Sequence, residues 1–98
     1  MRFELDEDKN RRNLAKHRVD FETAALVFDD PDHLVLDDRV IEDGQRWKAL
    51  GLIGSTTVVL VVHTYQEVDT EAVIRIISAR RATGPERKDY DEAHGISS

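Results

Sequence analysis

Five consecutive aliphatic residues, Val58-Val59-Leu60-Val61-Val62, leave one stretch of this chain without a polar side in any extended conformation. Valine is stiff at χ1 and packs well on a pleated surface, and five residues are far too few to cross a bilayer. The run therefore reads as a central strand covered on both faces. Three more strand-like segments surround it: residues 33–36, residues 46–53 after Asp43-Gly44, and residues 72–80 after a polar loop; the central strand itself extends over 57–65 after Gly54-Ser55. Turns this short join neighbours in an antiparallel meander of four strands.

Helical signals flank the meander. Asp6 is placed to cap a polar helix ending near His17, and Asp20 to cap a second whose Phe21, Ala24, Ala25 and Phe28 share one face at i, i+3, i+4 and i+7. Asp29-Asp30-Pro31-Asp32 stops that helix, because proline lacks a donor and biases its predecessor away from helix. Thr83-Gly84-Pro85-Glu86 starts a third, with threonine and glutamate at capping-box spacing and proline in the first turn; Gly95 is its expected end. The expected architecture is α+β: two N-terminal helices, a four-stranded antiparallel sheet and a C-terminal helix.

A chain of 98 residues has room for one core burying about 60 to 65% of its unfolded surface, so residues 1–98 read as a single domain. It has no cysteine, which excludes disulfides and thiolate metal sites, and its four histidines are scattered without ligand spacing, so neither metal nor other cofactor is expected. The first residues are charged from Arg2 onward with no apolar run behind them; a cytoplasmic protein without a membrane partner is the expectation. The net charge of -6 argues against an anionic partner until its distribution is considered. Residues 9–18 hold Lys9, Arg11, Arg12, Lys16 and Arg18 with no acid, and residues 75–88 hold five basic residues against Glu86 alone. The acids crowd into residues 29–43, where seven face only Arg39. If the basic blocks meet, an acidic protein presents a local cationic surface.

Three stretches, "FELDEDKNRRNLAKHRVDFETAALVFDDP" at 3–31, "DGQRW…LG" at 43–51 and "VVHTYQ…VIRIISARRATGPERKDYDE" at 58–92, resemble the BrnT family of type II toxins, small RelE-like ribonucleases. The sequence departs from the family where Leu5 replaces an aromatic residue, Arg18 a glycine and Gln45 a frequent glutamate; the first two departures read as structural, and the third removes one candidate general base. The resemblance implies a RelE-like fold, metal-independent RNA cleavage that arrests translation, and neutralisation by a BrnA-type antitoxin through which operator DNA is bound. A toxin–antitoxin heterotetramer is an assembly it admits.

Cleaving RNA without a metal requires the 2′-hydroxyl to attack the adjacent phosphorus, with a base, an acid and cations for the charge that builds on phosphate. Arginine grips two phosphate oxygens at once and stays charged throughout. Arg80, at the end of the last strand, is the first candidate, and Arg75, in mid-strand, the second. Regular alternation sends Arg75 with Arg81 to one face and Arg80 to the other unless a bulge intervenes. His17 and His63 are candidates for proton transfer, although a histidine closing an apolar strand also suits a hydrogen-bonded core edge. Lys9, Arg12 and Lys16 form one helical stripe that lines a phosphate path or is simply solvated. Arg46 adds a cation beside Trp47, which reads as core; Arg87 and Tyr90, three apart on the third helix, approach a phosphate or pin that helix to the sheet.

Two function classes remain open on sequence. One is the endoribonuclease toxin using Arg80 with Arg75, Lys9 and His17; the other is a binding module that mainly holds an antitoxin in a DNA-binding regulatory complex, with the acidic segment as its contact for a basic partner.

Overall fold

A computed structural model of the chain describes residues 1–41 and 44–93. The elements run β1 (Arg2–Leu5), α1 (Glu7–His17), α2 (Phe21–Ala25) with a 3-10 turn (Leu26–Asp29), β2 (Leu34–Ile41), β3 (Gly44–Ile53), β4 (Thr57–Val68), β5 (Glu71–Arg81) and α3 (Gly84–Ala93). The sheet order is β1-β5-β4-β3-β2. The antiparallel meander is present as β2 to β5. The sheet is nevertheless five-stranded and mixed, a correction to the four antiparallel strands expected, because β1 adds to β5 in parallel over Arg2–Leu5. Four residues of alternating charge and apolarity before a helix cap carry no local sign of a partner more than 70 positions away.

Helix starts follow their caps. Asp6 accepts from Lys9 N at 3.0 Å and Asp20 from Thr23 N at 2.7 Å. At α3, Thr83 N donates to Glu86 Oε1 at 2.9 Å while Glu86 N donates to Thr83 Oγ1 at 3.3 Å, the reciprocal pair of a capping box. The expected stop at Gly95 and the Asp43 half of the β2–β3 turn lie outside the described residues.

The second helix is also corrected. It is α-helical only to Ala25 and then tightens to a 3-10 turn, so Phe21, Ala24 and Val27 at three-residue spacing are the fully buried members, while Phe28 is only partly buried. These three cover Ala49, Val59, Val61, Ile74, Ile76 and Ala79, which form one face of the sheet, called here the α2 face. On the other, α3 face, Tyr90 packs on Leu50, Val58 and Leu60. Val58 to Val61 are thus buried from both sides, as their composition requires.

Helix α1 lies along the edge of β5 that β1 leaves open. There Asn13 substitutes for a strand: its Nδ2 donates to Ala79 O at 2.7 Å and to Val19 O at 2.8 Å, and its Oδ1 accepts from Ala79 N at 3.1 Å. A buried backbone edge without such partners would cost several kcal/mol. Asp30 ties the layers together, its Oδ2 accepting from Leu52 N at 2.8 Å and from the Tyr90 hydroxyl at 2.6 Å. Among the described residues no helix is long and apolar enough to cross a membrane.

Candidate active site on the open sheet face

Strand register decides which cations share a face. Between β4 and β5 the pairing slips: Val62 faces Ser78, but His63 faces Ile76, so Ile77 is an extra residue in β5. One inserted residue inverts the alternation. Arg75 therefore pairs with Thr64 and Arg80 with Leu60, two β4 positions of the same parity, and both arginines project from the α3 face. The opposite-face placement that regular alternation gives is overturned by this bulge. Only Arg81, paired with Val59, registers on the α2 face.

Applied to the whole sheet, the register sorts charge sharply. Arg2, Arg39, Arg46, Lys48, Arg75 and Arg80 all fall on the α3 face, leaving Arg81 as the sole strand cation of the other face among the described residues. The ion pairs of Arg2 with Glu71 at 3.6 Å and with Glu4 at 3.9 Å join residues that the register independently places on that same face. Helix α3 covers the Leu50–Leu60 end, so beyond it Lys48, Val62, Thr64 and Ser78 stay half-buried and Arg75 exposed. Lys48 stands in one row with Val62 and Ser78; Arg46, one step further along β3, and Arg75 flank β4 from either side, about 10 Å apart at the backbone. Arg46 is buried to 8% exposure. Beside Arg75, Glu4, Thr64 and Gln66 help line a polar recess of about 220 Å³.

Arg80 sits about 13 Å along the sheet from Arg75, by the four β4 residues separating their partners. It is engaged: its guanidinium forms a two-pronged ion pair with Glu86, at 2.7 and 3.0 Å. The Arg80 fork, with help from Thr83, holds the Glu86 carboxyl down at about 2. One carboxylate thus caps α3 and fixes Arg80 against the helix.

The remaining candidates divide. On α1, Asn10 and Asn13 mark the sides turned to α2 and to β5, since Asn10 accepts from Phe21 N and donates to Glu22. Helical rotation of 100° per residue puts His17 on the Asn10 side, and Lys9, Arg12 and Lys16 on the flank turned away from α2, bordering the α3 face. His63 is 3% exposed on the α2 face, its ring edge-on to Phe28 at 4.9 Å and its Nδ1 3.2 Å from Val61 O. Burial lowers its pKa, so it is held neutral in apolar surroundings as a core-edge histidine. None of the three described histidines lies on the cationic face. Tyr90 is buried on Asp30, and burial together with that hydrogen bond pushes its hydroxyl up to about 12. Arg87 donates to Thr56 O at 2.7 Å and pairs with Asp91. Both pin α3 to the sheet. Arg81 lines a cleft on the far side with Arg18 and Asp20.

Lys48 escaped the reading of the sequence. The signal was available in Arg46, Lys48, Leu50 and Leu52 at two-residue spacing, which makes the same strand face cationic at one end and apolar at the other.

Compared with known proteins, residues 5–86 match the family described as the ribonuclease toxin BrnT of type II toxin–antitoxin systems. Among solved structures the chain is similar to the crystal structure of the Brucella abortus ribonuclease toxin BrnT, with 25% sequence identity and a TM-score of 0.57, over 85% of this chain and 97% of that one. No curated protein sequence matches it.

Proposed function

The chain belongs to the BrnT family of ribonuclease toxins of type II toxin–antitoxin systems, and from that membership we propose that its cationic α3 face binds and cleaves RNA. The observation that carries the reading is the sorting, among the described residues, of six of the seven strand cations onto one face of an acidic protein. Single-stranded RNA laid across β3 to β5 meets Lys48 and Arg75 around a floor of Val62, Thr64 and Ser78, with Arg46 buried beside that floor, and the α1 stripe of Lys9, Arg12 and Lys16 extends its path. The 2′-oxygen attacks phosphorus and the 5′-oxygen leaves, giving a 2′,3′-cyclic phosphate and a 5′-hydroxyl. Arg75 and Lys48 stabilise the negative charge that grows on the non-bridging oxygens. With the three described histidines elsewhere, a carboxylate of this face takes the 2′-hydroxyl proton, for which we assign Glu4 in the recess beside Arg75, and the charged Lys48 gives a proton to the departing 5′-oxygen. No metal takes part, translation stops in the cytoplasm, and a BrnA-type antitoxin that also binds operator DNA neutralises the chain.

A second reading keeps the fold and drops the chemistry. It is favoured by the closed Arg80–Glu86 pair, which occupies the first-choice arginine. Offering purified chain a translated messenger and a synthetic RNA in EDTA, with and without ribosomes, separates the two. Cleavage with cyclic-phosphate ends, lowered about 100-fold or more in Lys48→Ala and Arg75→Ala chains that keep their circular dichroism, is the expected result. Intact RNA in every condition leaves the binding module.

A further inference from the structure

The α2 face has an uncovered end as well, and its chemistry is the reverse of the cationic face. Past the 3-10 turn, Phe28, Val35, Trp47, His63, Tyr65 and Ile74 line a predominantly apolar cleft of about 270 Å³. Tyr65 is 51% exposed and Val35 44%, and Val40, which registers on the same face through Gln45, is 72% exposed. Large apolar and aromatic side chains left open as one contiguous patch mark an interaction surface rather than scattered exposure. Met1 and its terminal amine also border the cleft, and the charged side chains that the sheet register places around it are acidic. Asp37, paired with Trp47, and Glu67, paired with Ala72, register on this face, Asp32 precedes the cleft in the chain, and Arg81 is at the far end of β5.

We propose that this cleft is where the chain grips a protein partner, through a basic segment carrying one or two large apolar side chains. The apolar anchors enter between Val35, Trp47 and Tyr65, and flanking lysines or arginines meet Asp37, Glu67 and Asp32. Polarity of charge selects the occupant. A second copy related by a two-fold axis brings Asp37 and Glu67 against their own equivalents on a chain of net charge -6, whereas a basic partner finds complementary charge at the rim of an apolar centre. RNA is excluded from this face for the same reason. Docking here leaves the cationic face untouched.

This deepens the toxin–antitoxin reading and rests on it for the partner's identity. Isothermal titration of the full chain with a BrnA-type antitoxin tests it, using Val40→Glu and Val35→Glu, both at exposed positions, and Arg75→Ala on the opposite face. The expected result is a loss of affinity of about 30-fold or more for the two glutamate variants, as for the removal of an interface hot spot, with their RNA cleavage within about two-fold of wild type. Arg75→Ala behaves oppositely, keeping its affinity for the antitoxin. Antitoxin affinity unchanged in folded glutamate variants overturns this surface alone. A wild-type chain that binds no antitoxin overturns the partner reading and the surface with it. Sedimentation of the free chain as a dimer that Val40→Glu dissociates gives the cleft to a second copy and overturns the basic occupant.

Discussion

Arg18 ends α1 at φ 62°, in the left-handed region, with its N–H donating to Leu14 O at 2.9 Å. A side chain there crowds its own backbone, which is why glycine is the usual occupant of such a cap and why the departure at this position is structural. Arg18→Gly is expected to raise stability by about 0.5–1 kcal/mol, read as a higher urea midpoint at unchanged m. Two titrations shape the acid response. His63 has a lowered folded pKa, so the unfolded chain binds the extra proton and stability falls as pH drops through the ordinary histidine range. Melting temperature should therefore decline between about pH 7 and about pH 5 in the wild type and much less in His63→Gln. Glu86 follows lower down. Its folded pKa of about 2 lies below its ordinary 4.5, so its contribution is full above that ordinary value and disappears as pH falls towards 2. After allowance for solvent screening of a partly exposed pair, Glu86→Gln should remove about 1–2 kcal/mol of it at neutral pH.

Elements meet where side chains are missing as much as where they are present. A Cβ on Gly51 would lie 2.6 Å from Val27 Cγ1 and 2.9 Å from Val27 O, so β3 and the 3-10 turn approach only because that position is bare. Gly51→Ala forces the turn off the sheet and should cost about 1–3 kcal/mol in denaturant unfolding, more than Gly84→Ala, whose Cβ meets nothing within 4 Å. Helix caps, the central strand and the meander were legible in the sequence because each is written in neighbouring residues: Asp6 with Lys9, Asp20 with Thr23, Thr83 with Glu86. What was not legible is non-local. Parallel addition of β1, the strand-like role of Asn13 and the extra residue at Ile77 depend on partners remote in the chain. The last of these decides the site, since a reading by alternation separates Arg75 from Arg80 and the bulge reunites them. Its effect on Lys48 is nil, and that residue was within reach of simple two-residue counting along β3.

At the scale of the molecule, a net charge of -6 and an affinity for RNA coexist only if opposite charges occupy opposite surfaces. Among the described residues the sheet gives one face six of its seven strand cations against Glu4 and Glu71, and the other Asp37 and Glu67 around an apolar cleft with Arg81 at its far end. Salt then distinguishes a local cationic face from diffuse attraction. If Lys48 and Arg75 each neutralise one phosphate, they contribute about -1.4 to the slope of log affinity for single-stranded RNA against log salt, at roughly -0.7 per contact. Arg75→Ala should make it shallower by about 0.7, and Asp37→Asn should leave it unchanged despite raising the net charge of the chain. Glu86→Gln should steepen it by about 0.7, because Arg80 then exchanges a carboxylate for a phosphate. A slope that tracks net charge across these variants, whichever face carries the substitution, would mean that RNA senses the molecule as a whole and that the cationic face holds no bound strand.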